Sequence, residues 1–347
     1  MSRQGRPSIA GRCDARRSPS PYPRGVDDRH EREDVRLLLH VARLYFEDRR
    51  TQADIAQSIG YSRPTISRLL TRAQDRGIVR ITIAHPLERL LAMEERLLTE
   101  LGLATVRVAE SEASDSIDAI GRAASELLPD ALKDGQVLAV GNGRSIAALA
   151  RHLPEINRPH STVVQLLGSL PGGLPAWGRD SPTLCWMIAS SLGTTSARMP
   201  IPLFVDDPAL AKPLMREERV ATTLALAARA DVAVVGVAGT EARGEGDVLA
   251  EYMTPGIEDA ITEGRAVGHI LDQHFDAAGH HVPTPLSPRT LALSLDGLRE
   301  IPLVIGIACG SEKVDALIAA ARGGILNGLV TDDYTASLIL RRLDRTD

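Results

Sequence analysis

Cysteine is scarce and scattered in this 347-residue chain, with Cys13, Cys185 and Cys309 standing far apart. An odd, widely spaced set argues against both a disulfide framework and a cysteine zinc site. Aromatic residues make up only 3%, so the core has to be built from aliphatic side chains. No apolar run approaches the ~20 residues that a membrane span needs. The basic N-terminus has no apolar stretch behind it and does not read as a secretory signal. These absences point to the cytoplasm, with no membrane partner.

Charge is present but unevenly placed. Residues 1–32 carry eight arginines against four acids and residues 33–80 carry nine against six, while the whole chain stands at −5. The remainder is therefore acidic. A basic front on an acidic body suits a nucleic-acid-binding head joined to a larger domain with another task. The length also favours a small module plus a large one.

Within that front, TQADIAQSIGYSRPTISRLLTRA (residues 51–73) reads as a helix-turn-helix. Thr51 can cap a first helix with Ile55, Ala56 and Ile59 inward, and Gly60 supplies the turn. Ser62 caps a second helix, and Pro64 lies in its first turn, where a missing N–H costs nothing. Ile66, Leu69, Leu70 and Ala73 fall on one face, while Thr65, Arg68 and Arg72 share another. That is the shape of a major-groove reader. An ordinary αα-hairpin with solvated arginines lacks this fixed order of cap, turn and cap. The expected DNA contacts are Thr51, Gln52, Ser62, Arg63, Thr65, Ser67, Arg68 and Arg72, and the expected partner is operator DNA.

Residues 1–32, rich in Arg, Pro, Ser and Gly, read as a disordered tail. Residues 33–83 form the DNA-binding unit, with a helix over 35–46 inward at Leu38, Leu39, Ala42 and Tyr45 or Phe46. Gly77 ends the second helix of the motif, and residues 78–83 suggest a wing-like strand. Residues 84–102 hold a helix, 87–101, with leucines along one side. It is either a core helix of the next domain or a dimer-forming linker.

From 103 to 347 the pattern is α/β. Apolar runs at 104–108, 137–140, 162–167, 232–237, 302–308 and 329–330 alternate with helical stretches at 116–128, 145–152, 183–192, 213–229, 313–322 and 333–342. Strands apolar throughout predict a doubly wound parallel sheet covered on both faces. In such sheets ligands sit beyond the carboxyl ends of the strands. Three loops there have anion-friendly chemistry: Gly141, Asn142, Gly143, Arg144 and Ser145; then Gly168 and Ser169 leading into 170–173; then 308–313 with Lys313. Asp332 ends the next strand and is placed to bond sugar hydroxyls. None of the loops is a P-loop or a GxGxxG fingerprint, and a glycine-rich turn serves chain reversal whether or not anything binds. His269 and His274 with Asp272 and Asp276 in HILDQHFD have a metal-like spacing. Strand alternation or a helix face explains it as well, so no metal or other cofactor is expected. His280 and His281 read as a solvated hairpin tip.

Taken from 35 to 343, the chain resembles the SorC-type sugar-binding transcriptional regulators of the deoxyribonucleoside-regulator group. The motifs that carry this are VARLYFEDRRTQADIAQSIGYSRPTISRLLTRAQDRGIVRI, VLAVGNGRSIAALA, VVQLLGSL, DVAVVGVA, GRAVGHILDQHFDAAG and CGSEKVDALIAAARGGILNGLVTDDYTA. The resemblance implies an effector domain of sugar-phosphate isomerase type that senses rather than converts its ligand, in a homodimer or homotetramer. By motif, Gly143 and Ser145 match the family's phosphate loop, Lys313 its cleft lysine and Asp332 its TD motif. Where members often carry a carboxylate after AVG, this chain has His269, which leaves sugar, polyol and sugar phosphate open as effectors. The alternative, an isomerase- or deaminase-like enzyme with a helical appendage, needs an acid–base constellation after the central strand. VVGVAGTEAR lacks the DGH of those deaminases, so no catalytic residue is assigned.

Overall fold

The structure is a computed structural model that describes residues 27–79, 87–112, 115–170, 178–240 and 252–345. The chain divides into two compact units, Met1–Ala84 and His85–Asp347.

In the first unit, α1 (Asp27–Phe46), α2 (Gln52–Ile59) and α3 (Arg63–Asp75) enclose a small aliphatic core. Leu38, Val41, Ile55, Ile66 and Ala73 are its fully buried members. Two expectations change here. α1 begins at Asp27, inside the segment read as a disordered tail, because the proline- and glycine-rich composition ends at Gly25 and acids at a helix start favour its dipole. Val41, not Leu39, faces inward, and Leu39 and Phe46 are exposed. Gly60 ends α2 at φ 74, a conformation that costs glycine nothing. Ile78 and Val79 form a bend, and the rest of the expected wing, 80–83, lies outside the described residues.

The second unit is a seven-stranded, all-parallel sheet flanked by helices. Its strands are β1 (Thr105–Ala109), β2 (Val137–Val140), β3 (Thr162–Gln165), β4 (Thr195–Ala197), β5 (Val232–Gly236), β9 (Leu303–Ile307) and β10 (Gly328–Asp332). The spatial order is β1-β10-β9-β5-β2-β3-β4. The chain winds outward from β2 to β4, then returns through β5 and β9 to β10. The order therefore reverses between β2 and β5, where crevices form in doubly wound sheets. One core face packs α4 (Glu88–Leu101), α12 (Val314–Arg322) and α13 (Asp333–Leu343); the other packs α5 (Ser116–Ala131), α6 (Arg144–His152) and α7 (Ser181–Ser191).

The leucines of α4 divide into two sets. Leu90, Leu97 and Leu101 are buried in the core of their own domain, while Leu87 and Leu91 stay exposed. Its Glu94 is buried and accepts the outward N–H of Val108 at 2.8 Å, so a carboxylate occupies the free edge of β1. The helix expected over 213–229 is two, α8 (Pro208–Arg216) and α9 (Glu218–Ala227), separated by Glu217 at ψ 134. Asp207 caps the first by accepting the Ala209 N–H.

After β5 the chain leaves the sheet. β6 (Ala238–Gly239), β7 (Ala266–Ile270) and β8 (Gln273–Asp276) make a small antiparallel sheet, with α10 (Pro255–Glu263) leading into it and the short α11 (Leu295–Arg299) following it in the chain. Gly239 and Gly268 face each other in it. A Cβ on Gly239 would lie 2.0 Å from the Glu312 carbonyl oxygen and one on Gly268 2.4 Å from Ala316 Cβ. Only glycine lets this sheet sit against α12 and the turn before it. No described helix is long and apolar enough to cross a membrane.

Candidate functional site

In the helical unit, the hydroxyls read as DNA contacts first do structural work. The Thr51 hydroxyl accepts the Asp54 N–H at 3.2 Å and the Asp54 carboxylate accepts the Thr51 backbone N–H at 3.4 Å, a reciprocal capping box. Ser62 accepts the Thr65 N–H at 3.3 Å, and the Ser62 and Thr65 hydroxyls are 2.8 Å apart. These bonds fix where α3 starts. Arg72 and Arg76 converge on Asp34 of α1 at 2.6 and 2.9 Å. Arg63, Ser67 and Arg68 are exposed, Gln52 is half-buried, and neither Arg63 nor Arg68 has an ion-pair partner among the described residues. Beside the start of α2 lies a recess of about 690 Å³ lined by Tyr45, Arg49, Arg50, Thr51, Gln52, Ala53 and Arg63. Among the described residues it is lined by three arginines and no carboxylate. Arg49 and Arg50 were missed as candidates, although two consecutive arginines directly before a helix cap are a legible anion-binding signal.

In the α/β unit, the carboxyl ends of β1, β9 and β10 surround a cavity of about 930 Å³. Arg144, Lys313 and Asp332 line it, together with Ser111, Ser116, Cys309, Glu312 and Arg341. Asp332 is only 2% exposed and caps α13, accepting the Thr335 N–H at 2.9 Å and the Ser111 hydroxyl at 3.3 Å. It holds the rim together. Arg144, Lys313 and Arg341 have no ion-pair partner among the described residues, whereas Arg89 is bound to Asp333 at 2.9 Å. Burial raises the Cys309 thiol to about 11, against the opposing pull of Lys313 and Arg144. Cys309 is a neutral wall of the cavity.

The other expected effector residues separate into two groups. Gly168 and Ser169 are tied to their own backbone: Gly168 N–H donates to the Leu291 carbonyl, Ser169 N–H to Ile201, and Ser169 accepts from Leu203. A Cβ on Gly168 would lie 2.3 Å from the Pro202 carbonyl oxygen. This glycine makes room for neighbouring chain, and the structure does not bring the pair to the cavity. The following residues 171–173 lie outside the described ones. Gly141, Asn142, Gly143 and Ser145 open α6 at the end of β2. The Gly143 N–H is already spent on the Arg179 carbonyl, and Ser145 is buried.

His269 lies on β7, paired across the hairpin with His274, ring centroids 5.2 Å apart. Strand pairing thus accounts for the spacing in HILDQHFD, and no group of three or more His, Cys, Asp or Glu able to hold a metal ion occurs among the described residues. Burial, then the charge of Lys313, lowers His269 to about 4; burial, then His269 and His281, lowers His274 to about 3. Both rings are neutral at neutral pH. Gly268, beside His269, packs against Ala316, and His269 does not line the cavity. His280 and His281 are exposed.

A helical head with a capped reading helix, followed by a doubly wound domain with a polar cavity at its sheet edge, is the plan of a ligand-controlled transcription factor. Residues 85–341 match the family described as "Putative sugar-binding domain". The chain is 30% identical over 313 residues to the sorbitol operon regulator of Klebsiella pneumoniae, covering 89% of this chain and 99% of that protein. It is 33% identical over 307 residues to the transcriptional regulator LsrR of Enterobacter sp., covering 88% and 92%. The crystal structure of full-length SorC from Klebsiella pneumoniae matches with a TM-score of 0.70 at 30% identity, over 88% of this chain and 99% of that one. The chain belongs to the SorC-type family of sugar-binding transcriptional regulators. It is a regulator of transcription with a sugar-binding domain, and its relatives are regulators rather than enzymes.

Proposed function

We propose that this protein binds a pseudo-palindromic operator as a cytoplasmic homodimer or homotetramer and changes its operator affinity when a sugar, polyol or sugar phosphate occupies the carboxyl edge of its sheet. In the head, α3 enters the major groove with Thr65, Ser67 and Arg68 toward base edges, and Arg63 and Arg72 lie beside phosphates. The arginine-lined recess at Arg49, Arg50 and Gln52 takes a flanking phosphate. The exposed Leu87 and Leu91 of α4 are candidates for contact with a second copy, whereas Leu90 and Leu97 belong to the core.

The observation that carries the effector reading is the cavity in which Arg144 and Lys313, without an ion-pair partner among the described residues, stand beside several hydroxyls and carboxylates. Carbohydrate effectors are further supported by the names of relatives, including the erythritol catabolism regulatory protein EryD of Brucella abortus, 28% identical over 311 residues. Two bound states must differ in DNA affinity for regulation, and the coupling is reciprocal, so operator DNA shifts effector affinity by the same factor.

Lys313→Met removes a point charge and keeps most of the side-chain volume. The variant is expected to fold and to bind operator in footprinting as the unaltered protein does, but to lose the effector response. A normal response to an effector that binds the unaltered protein would place the ligand elsewhere.

A further inference from the structure

The seven-stranded sheet has two edges, and the chain treats them differently. At β1 the buried Glu94 takes the outward N–H of Val108, which blocks further pairing. The other edge is β4, a three-residue strand covered on one face by α7. From Ser181 to Ala197, through the whole of α7 and β4, no residue carries a charge, in a chain of which charged residues make up 24%. α7 is apolar on both sides. Leu184, Cys185 and Ile188 point into the core, and Trp186 stands outward at 60% exposure, more exposed than any other large hydrophobic side chain described. Pro182, Thr183 and Ser190, one turn away on the same side, are uncharged and at least partly exposed.

This helix is fixed at both ends. Its Ser181 hydroxyl donates to the Val140 carbonyl at 3.3 Å, and the Arg179 carbonyl just before it accepts the Gly143 N–H at 3.1 Å. At the far end the Ile156 and Arg158 N–H groups take the Ser191 and Leu192 carbonyls at 2.6 and 2.9 Å. Trp186 is therefore presented in a set place, and docking against it costs little further ordering.

We propose that the outer face of α7, centred on Trp186 and continuing onto the β4 edge, is a contact between two copies of this chain. Charge selects the occupant. The body is acidic, so two copies repel wherever their charged surfaces meet, and an uncharged strip is where they can touch. A twofold axis sets one patch against itself, and a strip without charge brings no like charges together across that axis. Interface cores are depleted in charge and enriched in Trp and Met, and Trp is among the commonest anchors. α4 packs on β1 at the opposite edge, so its exposed leucines form a separate face, and a tetramer of dihedral symmetry needs two kinds of contact. The inference rests on the reading that the protein is a homo-oligomer and names a surface for it.

The test uses the full-length protein. Trp177, the other tryptophan of the chain, is replaced in Trp177→Phe so that emission reports Trp186 alone, and iodide quenching is followed beside sedimentation over a dilution series. Iodide should reach Trp186 in the dilute protomer and lose access as the particles assemble. Separately, Trp186→Glu should fold, because the side chain lies outside the core, and should weaken association about thirtyfold or more, the scale of an interface anchor. The quenching measurement decides the matter even if that variant folds poorly. Trp186 open to iodide in the assembled oligomer, or assembly unchanged by Trp186→Glu, overturns the proposal and leaves the homo-oligomer reading standing. A monomer at every concentration removes both. Protection of Trp186 by neutral phosphatidylcholine vesicles, but not by self-association, would make the patch a lipid-facing one and also overturns it.

Discussion

The two units spend their polar side chains differently. In the head, Thr51, Ser62 and Asp54 make their capping bonds at the surface, and the candidate contact residues Arg63, Ser67 and Arg68 stand in water. In the α/β domain, key polar groups are nearly sealed: Asp332 at the sheet's carboxyl edge is 2% exposed, and His274 and Asp272 of the small antiparallel sheet are 3% and 8% exposed. Surface polar groups are cheap to remove, because water replaces the lost partner. Buried ones leave an unsatisfied donor or acceptor behind. Function and stability should therefore be separable in the head and entangled in the body.

Asp332→Ala should show the entanglement most strongly. It strips the cap from α13 and leaves the Thr335 N–H and the Ser111 hydroxyl without their partner. A loss of about 2–4 kcal/mol is expected, combining a helix cap with a buried orphan donor. Urea unfolding of the whole chain would measure it. Asp332→Asn keeps the capping oxygen and should recover most of the loss. If that variant is stable yet fails to respond to effector, Asp332 contacts the ligand as well as the rim.

Acid should also weaken the body. His269 and His274 have pKa values lowered by burial to about 4 and about 3, below the ~6.5 of an unfolded chain. Between about pH 6.5 and 4 the unfolded state binds more protons, so their contribution is present above pH 6.5 and is lost as pH falls. By pH 5 the pair should cost on the order of 2–4 kcal/mol relative to pH 7. Denaturant midpoints across that range, compared with a His269→Gln, His274→Gln double variant, isolate the contribution. An unchanged slope in the double variant would assign the acid sensitivity to other groups.

The same contrast governs what could be read from the chain. The helix-turn-helix was legible because its determinants are local: Thr51, Gly60, Ser62 and Pro64 act within one turn of where they stand. The main strands were legible because each is apolar throughout. The arrangement at the sheet edge is not local. His269 comes under the charge of Lys313 through a small sheet whose strands the apolar pattern did not mark, and whose turn, Leu271-Asp272, carries no Asn-Gly signal. Gly168 misled for a related reason. A glycine making room for a ligand and one making room for Pro202 look alike in sequence.

The smallest stability effect, and the sharpest test of the contrast, belongs to Arg68. Its side chain is exposed, has no ion-pair partner among the described residues, and lies on a helix whose capping and core do not involve it. Arg68→Ala should change unfolding stability by no more than about 0.5 kcal/mol. Operator binding should nevertheless weaken by ~1–3 kcal/mol, with relaxed specificity at one base pair, if the guanidinium pairs with a guanine. Arg72→Ala is the control, since Arg72 is already held by Asp34 at 2.6 Å. Its loss should weaken binding to specific and random DNA alike and reduce the salt dependence. Quantitative footprinting against both kinds of DNA separates the two patterns. Equal losses for Arg68 on both would make it a phosphate contact and hand base reading to Thr65 and Ser67. A large drop in stability would instead show that the head, like the body, cannot part with its polar side chains for free.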